Sequence, residues 1–197
     1  MNKKIVIYGG SFNPPHVGHM ADVENVLRNF KCDEIWIVPS RDRLDKHIGT
    51  PGKHRVQMLK LSIKGFFSNP TVPIKISDME LKRKKMTTTV DTKKELAERY
   101  PQNTFYFLIG SELLREIKST WVRGKELWRS TRFLAIKNPL VNIRFSLPEN
   151  IRVLDKEVVW LNISSTMVRR LLKEGYSGEP YIHPKVARYI KKNKLYK

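Results

Sequence analysis

The stretch IVIYGGSFNPPHVGH, at residues 5–19, guides the interpretation of the whole chain. It opens with a short apolar run rich in β-branched residues that ends at Gly9 and Gly10, which is typical of a buried parallel strand entering a tight turn. Apolar residues recur at helical spacing over residues 17–30, so a helix follows the turn. A strand, paired glycines and a helix start together favour a phosphate-binding site, because backbone N–H groups and the positive end of the helix point to one place.

Alternating strands and helices continue through the rest of the chain. Further strands are predicted at residues 34–38, 72–76, 104–109, 133–136 and 158–161, and further helices at residues 53–67, 91–100, 165–174 and from residue 184. This order predicts an α/β fold with an open, mostly parallel sheet, helices on both faces, and ligands at the carboxyl ends of the strands. We expect one domain over residues 1–197, in which residues 163–197 form a small C-terminal helical part.

The composition favours a cytoplasmic protein over a secreted or membrane protein. No apolar run in the 197 residues approaches the roughly 20 residues of a membrane helix, and the N-terminal run is too short for a secretory signal. Cys32 is the single cysteine, so the chain can form neither an internal disulfide nor a cysteine zinc cage.

The chain is strongly basic, with 38 Lys and Arg residues against 19 Asp and Glu residues and a formal net charge of +19. Such an excess attracts polyanions, and it is consistent with a nucleic-acid surface, a site for phosphate-rich small molecules, or a lysine-rich solvated surface. Basic runs such as residues 82–85 and 191–194 lack the interleaved aromatics on which single-strand binders stack bases. We therefore favour the last two interpretations, and binding of nucleic acid stays an open alternative.

His16 and His19 lie three residues apart at the start of the predicted helix, so both imidazoles can meet one phosphate. In nucleotidyl transfer, negative charge grows on the non-bridging oxygens of the attacked phosphorus, and donors placed there stabilise it. Ser11 can add a hydroxyl donor. Taken alone, the histidine pair is equally consistent with a helix cap or with two ligands of an incomplete metal site. The chain has neither a Walker A pattern nor a GxGxxG fingerprint, which argues against P-loop phosphoryl transfer and nicotinamide-cofactor redox chemistry.

The stretch ISSTMVR, at residues 163–169, has the features of a second anion site. Its hydroxyl residues can cap the helix that follows, and together with free backbone N–H groups they form an anion cradle. Arg169 lies in the first turn, where its guanidinium can bind a phosphate with two hydrogen bonds. By itself the stretch is also consistent with an N-cap followed by an exposed arginine.

These two stretches carry a family resemblance. GSFNPPHVGH at residues 10–19 resembles the HxGH signature of the nucleotidyltransferase superfamily, which shares a Rossmann-like core, and residues 163–169 resemble its ISSTxxR element. Several stretches between them resemble bacterial nicotinate mononucleotide adenylyltransferases, namely SDMELKR at 77–83, TVDT at 89–92, YP at 100–101 and FYFLIG at 105–110. The likeness covers nearly the whole chain.

The resemblance implies three groups of site residues. The catalytic residues would be His16, His19 and Arg169. ATP would bind at Gly9, Gly10, Ser11, Phe12, Gly18, Lys46, Ile163, Ser164, Ser165 and Thr166. The mononucleotide would bind at Thr87, Thr88, Thr89, Glu112, Trp121 and Lys137.

Some of these assignments have an alternative. Lys46 is also consistent with a solvated lysine, and Trp121 with a core or surface tryptophan. The resemblance also carries departures, because Glu112 stands where the family usually has aspartate, Thr88 where it has tyrosine, and Lys137 where it has arginine. A family arginine resembles Arg55, for which a surface ion pair is an adequate alternative.

The reaction implied by the resemblance is adenylyl transfer from ATP to nicotinate mononucleotide, which gives deamido-NAD and pyrophosphate. Mg²⁺ would be held by the substrate phosphates and water, without protein metal ligands. The alternatives are the same transfer to nicotinamide mononucleotide or phosphopantetheine, transfer from CTP to an alcohol phosphate, and a basic RNA-binding module with a vestigial nucleotide site.

Overall fold

Six parallel strands form one sheet in the computed structural model, which describes residues 2–42, 48–84 and 86–197. In chain order they are β1 (Lys4–Gly10), β2 (Glu34–Pro39), β3 (Ile74–Ile76), β4 (Thr104–Gly110), β5 (Phe133–Ile136) and β6 (Ile151–Leu154). Across the sheet the order is β3-β2-β1-β4-β5-β6, so the direction of winding reverses between β1 and β4. Parallel sheets bind ligands beyond the carboxyl ends of the strands at such a reversal, which here lies beside Gly10 and Gly110.

Helices cover both faces of the sheet, and this arrangement confirms the predicted fold class. They are α1 (Val17–Asn29), α2 (Gly52–Phe66), α3 (Thr89–Arg99), α4 (Ile117–Thr120), α5 (Gly124–Ser130), α6 (Ser165–Lys173) and α7 (Pro184–Lys192). Ile5 and Ile7 of β1 belong to the apolar cluster under α3, α4 and α5, whereas Val6 and Tyr8 belong to the cluster under α1 and α2. Because alternate side chains enter opposite cores, the strands read as continuous apolar runs.

A third apolar cluster attaches α6 and α7 to α2. Met58 of α2 is completely buried there against Val168 of α6 and against Val186 and Ile190 of α7. The C-terminal helices therefore pack on the helix layer rather than on the sheet, and α6 begins close to the carboxyl ends of the strands. Among the described residues, no helix is long and apolar enough to cross a membrane.

The predicted strand at residues 158–161 is wrong, because the sixth strand is β6, at residues 151–154. The buried side chain of Asn25 on α1 binds both backbone groups of Val159. Its Oδ1 accepts from the Val159 N–H at 2.9 Å, and its Nδ2 donates to the Val159 carbonyl at 2.8 Å. An apolar run with strand-like composition is thus held against a helix by one amide side chain. The helices α4 and α5 were not predicted, because elements of four and seven residues are too short to show a helical repeat.

We expect Asn25→Ala to lower the free energy of unfolding by about 2–4 kcal/mol, because it leaves a backbone donor and acceptor of Val159 without partners. Denaturant unfolding followed by circular dichroism would measure the loss. Asn29→Ala is the matched control, since Asn29 on the same helix donates only to the Asn25 carbonyl. Equal losses in the two variants would contradict the role given to Asn25.

Candidate active site

A cavity of about 750 Å³ opens at the carboxyl ends of β1 and β4, where the strand order reverses. Two segments far apart in the sequence line it together, the loop that leads into α1 and the loop that leads into α6. The predicted site residues that line this cavity are Gly9, Gly10, Ser11, His16, Gly18, His19, Thr87, Thr88, Thr89, Glu112, Trp121, Ile163, Ser164, Ser165 and Thr166.

The two histidines are stacked on each other. Their ring centroids are 3.6 Å apart with an angle of 25° between the planes, and the backbone N–H of His16 donates to Nδ1 of His19 at 3.1 Å. A neutral imidazole whose Nδ1 accepts carries its proton on Nε2, so His19 presents Nε2–H as a donor.

Burial keeps both imidazoles neutral near pH 7. It lowers the pKa of His16 to about 4, and burial together with the neighbouring His16 holds the pKa of His19 well below 6.5. The pair therefore offers hydrogen-bond donors to an arriving phosphate, and each imidazole would gain affinity for a proton once that anion is bound.

Phe12 supports the histidines from inside the core rather than lining the cavity. Its side chain is completely buried and packs edge-on against His19, at 4.9 Å between centroids, and against Tyr8, at 5.4 Å. Its φ of 45° lies in the left-handed region, which is uncommon for a residue other than glycine. A Cβ on Gly10 would lie 3.0 Å from the Phe12 ring, so the glycine leaves room for this turn.

Donors from two distant elements, α2 and α6, hold the loop before α1. Arg55 Nη1 donates to the Ser11 carbonyl at 2.8 Å, Arg169 Nη1 to the Asn13 carbonyl at 2.7 Å, and Ser165 Oγ to the Pro14 carbonyl at 2.8 Å. Arg55 is buried, so the alternative of a surface ion pair for this residue is wrong. The loop carbonyls point into the protein because cationic and hydroxyl donors meet them there.

The start of α6 has the features expected of an anion cradle. Ser164 is its N-cap, and the Ser164 Oγ accepts from the N–H of Met167 at 3.1 Å. Arg169 Nη2 donates to Thr166 Oγ1 at 3.1 Å, in addition to the bond from Nη1 to the loop. A guanidinium has five N–H donors, so binding to Asn13 and Thr166 leaves others for an anion.

Two buried hydroxyls of residues that line the cavity have no hydrogen-bond partner among the described residues. They belong to Thr87, in the predicted threonine loop, and to Ser40, just after β2. Buried polar groups are nearly always hydrogen bonded. Two such hydroxyls in one cavity therefore favour a site where a polar ligand supplies the hydrogen bonds. Sequence reasoning missed Ser40, although its place directly after a buried strand put it at the functional edge of the sheet.

Two carboxyl groups lie between the two ends of the cavity. The Glu112 side chain folds back against Gly110, and Asp22 Oδ2 accepts from the Tyr8 hydroxyl at 2.5 Å. Burial, together with nearby Glu112, raises the pKa of Asp22 to about 6. Asp22 was also missed, although it follows His19 by three residues on α1 and therefore shares its face.

Three of the predicted site residues that the structure describes do not line the cavity, namely Phe12, Lys137 and Arg169. Lys137 does not line the cavity, since its Nζ donates to the Val141 carbonyl at 2.9 Å and Asn138 takes the lining position. Phe12 lies in the core, as described above, and Lys46 falls outside the described residues. Arg169 reaches the site through the loop it binds. Trp121 lines the cavity and meets Phe133 edge-on, with centroids 6.1 Å apart.

Comparison with known proteins identifies the family of this chain. The cytidylyltransferase-like family model matches residues 7–171. The nicotinate-nucleotide adenylyltransferase of Bacillus subtilis is 35% identical over 196 residues, which cover 98% of each chain. The chain belongs to the nicotinate-nucleotide adenylyltransferase family.

Other relatives agree over the same length. A probable nicotinate-nucleotide adenylyltransferase of Oceanobacillus iheyensis is 33% identical over 98% of this chain and 97% of its own. Among solved structures, nicotinic acid mononucleotide adenylyltransferase of Plasmodium falciparum in complex with NaAD has a TM-score of 0.81 and 30% identity, covering 99% of this chain and 98% of that one.

Proposed function

We propose that this adenylyltransferase transfers AMP from MgATP to nicotinate mononucleotide and releases pyrophosphate and deamido-NAD. The observation that carries the proposal is one cavity, at the reversal of the sheet, that is lined by both the histidine pair and the N-terminus of α6. Relatives that align with nearly the whole chain are named nicotinate-nucleotide adenylyltransferase or probable nicotinate-nucleotide adenylyltransferase. We further propose that residues 1–197 act as a single cytoplasmic domain.

In this proposal, ATP occupies the half of the cavity between the two signature stretches. The neutral imidazoles of His16 and His19 donate to the non-bridging oxygens of the α-phosphate, which gather charge as the reaction proceeds. The free backbone N–H groups and hydroxyls at the start of α6, together with the remaining donors of Arg169, bind the β- and γ-phosphates. The backbone at Gly9, Gly10, Ser11 and Gly18 and the segment 163–166 complete the ATP contacts.

The mononucleotide occupies the other half of the cavity. The threonine loop and the hydroxyls of Thr87 and Ser40, which have no hydrogen-bond partner within the described part of the chain, offer polar contacts to a pyridine carboxylate. Trp121 offers an aromatic face to the ring, a contact worth about 1 kcal/mol beyond the buried area. Glu112 and Asp22 lie where ribose hydroxyls can donate to carboxylate oxygens.

The chemical step joins the 5′-phosphate oxygen of the mononucleotide to the α-phosphorus of ATP and breaks the bond from that phosphorus to the bridging oxygen of pyrophosphate. The attacking phosphate is already ionised, so the protein supplies alignment and donors rather than a general base. Among the described residues, no three His, Cys, Asp or Glu side chains are grouped to hold a metal ion. We therefore assign Mg²⁺ to the triphosphate, with which it enters as substrate and neutralises the leaving pyrophosphate.

Pyrophosphate release tests the function directly. The protein is incubated with ATP and Mg²⁺ and, in separate reactions, with nicotinate mononucleotide, nicotinamide mononucleotide or phosphopantetheine. We expect the largest kcat/KM with nicotinate mononucleotide, and no release when EDTA removes Mg²⁺. Faster turnover with another acceptor would reassign the substrate. Salt-sensitive retention of RNA without any pyrophosphate release would instead favour the RNA-binding alternative.

Replacing either histidine should abolish most of the activity. A donor that acts on transition-state charge contributes about 2.7–4 kcal/mol, so His16→Ala and His19→Ala should each lower kcat by about 10²–10³-fold. His183→Ala serves as the control, because His183 caps α7 and does not line the cavity. Near-normal kcat in both active-site variants would refute their role.

Arg169→Ala should raise the KM for ATP by about tenfold or more, because a charged donor to phosphate contributes about 1.5–3 kcal/mol. The adjacent Arg170 provides a matched control, since it is exposed and lies 3.9 Å from Glu174 on the same helix. Steady-state kinetics with varied ATP should show Arg170→Ala within about twofold of the original protein. An unchanged KM in Arg169→Ala would remove the proposed phosphate contact.

A further inference from the structure

Tyr196, which follows α7, contacts the loop that leads to the catalytic histidines. Its hydroxyl donates to Asn13 Oδ1 at 2.5 Å, which joins two residues 183 positions apart. Asn13 is buried and stands three residues before His16. The contact therefore connects the C-terminal segment to the position of the histidine pair.

Asn13 is held from two sides by C-terminal elements. While Tyr196 binds its side chain, Arg169 Nη1 of α6 binds its backbone carbonyl at 2.7 Å. The same arginine is the proposed ligand of the triphosphate. Any movement of Asn13 would therefore shift both the loop before α1 and the guanidinium that shares it.

The chain beyond α7 is shaped to make this contact. Lys194 and Tyr196 both have φ values in the left-handed region, at 53° and 61°, which residues other than glycine rarely adopt. The N–H of Leu195 donates to the carbonyl of Ile190 at 3.1 Å, so the turn is anchored to the last turn of α7. Tyr196 also packs in the apolar cluster of α2, α6 and α7. A strained backbone conformation persists where surrounding contacts stabilise it. Here the contacts that stabilise it also direct the Tyr196 side chain toward the loop before α1.

The hydroxyl of Tyr196 keeps its proton throughout the working pH range. Burial raises the pKa of Tyr196 to about 12, even though a side-chain hydrogen bond with Thr50 and the nearby Arg169 and Arg55 oppose the rise. These two arginines are the ones that bind the carbonyls of Asn13 and Ser11. Tyr196 is thus a permanent donor placed among the side chains that hold the loop.

We propose that Tyr196 is a positioning residue for the triphosphate half of the active site, acting through Asn13 on the histidine loop and on Arg169. This inference rests on the proposed adenylyl transfer. Without the hydroxyl, the Asn13 side chain loses its partner and the loop and Arg169 are aligned less strictly for ATP, while the mononucleotide half of the cavity is untouched.

The test compares Tyr196→Phe with Tyr189→Phe. The first keeps the ring and removes the hydroxyl that binds Asn13 and Thr50. The second removes a hydrogen bond between the Tyr189 hydroxyl and His54 Nδ1 at 2.8 Å, on α7 just before Tyr196, and neither of these two residues lines the cavity. We expect Tyr196→Phe to lower kcat/KM for ATP by about threefold to tenfold, with an unchanged KM for the mononucleotide. Tyr189→Phe should leave both parameters unchanged. In an Asn13→Ala background, adding Tyr196→Phe should lower kcat/KM for ATP much less than it does in the original protein, because the bond to Asn13 is already gone and only the bond with Thr50 is lost.

Two results would overturn the inference. One is an unchanged kcat/KM for ATP in Tyr196→Phe, and the other is an equal loss in both tyrosine variants together with a lower melting temperature, which would make the role purely structural. Calorimetric titration with an α,β-methylene ATP analogue separates this inference from the proposed function. If the original protein binds the analogue but adenylates no mononucleotide, the proposed function fails, while the affinities of the two variants still decide the role of Tyr196.

Discussion

The active site depends on hydrogen bonds to the backbone carbonyls of one irregular loop. Residues 11–15 carry the chain from β1 to α1 without secondary structure of their own, yet they set the position of His16 and His19. Arg55 of α2 and Ser165 and Arg169 of α6 supply the donors. Because a charged hydrogen bond is about twice as strong as a neutral one, the two arginines dominate this support. The position of the histidine loop therefore depends on how α2 and α6 pack beside it.

Charge is divided along the cavity in a way that suits two phosphorylated substrates. The imidazoles of His16 and His19, the carboxyl groups of Asp22 and Glu112 and the N-terminus of α6 all line the cavity, and Arg169 is on α6 in its first turns. Phosphates are attracted to Arg169 and to the N-terminus of α6, and they are repelled by the carboxyl groups. Ribose hydroxyls, in contrast, can donate hydrogen bonds to those carboxyl groups. The net charge of +19 adds a long-range attraction for anions that depends on ionic strength. Overall charge therefore gathers the substrates, and local charge orients them.

Much of the fold was predictable because its signals are local. The apolar run and paired glycines at residues 5–10 and the helical spacing after them identify β1 and α1, and the two signature stretches identify the site they form. The sequence around residues 158–161 could not show that this stretch is not a strand. The residue that binds its backbone, Asn25, lies 134 residues before Val159. Ser40 and Asp22 were within reach of sequence reasoning, through their places after a strand and one turn beyond His19. The burial of Arg55 was not, since it depends on long-range packing.

The helix α1 sets the distance between the two signature stretches. Its first turn carries His19, and Asn25, less than two turns further on, fixes Val159, from which the chain runs to the start of α6. One residue inserted between these positions would rotate Asn25 by about 100° around the helix axis and carry it away from Val159. The spacing between His19 and Asn25 is therefore as important to the arrangement of the site as the two signature stretches, although it is part of neither.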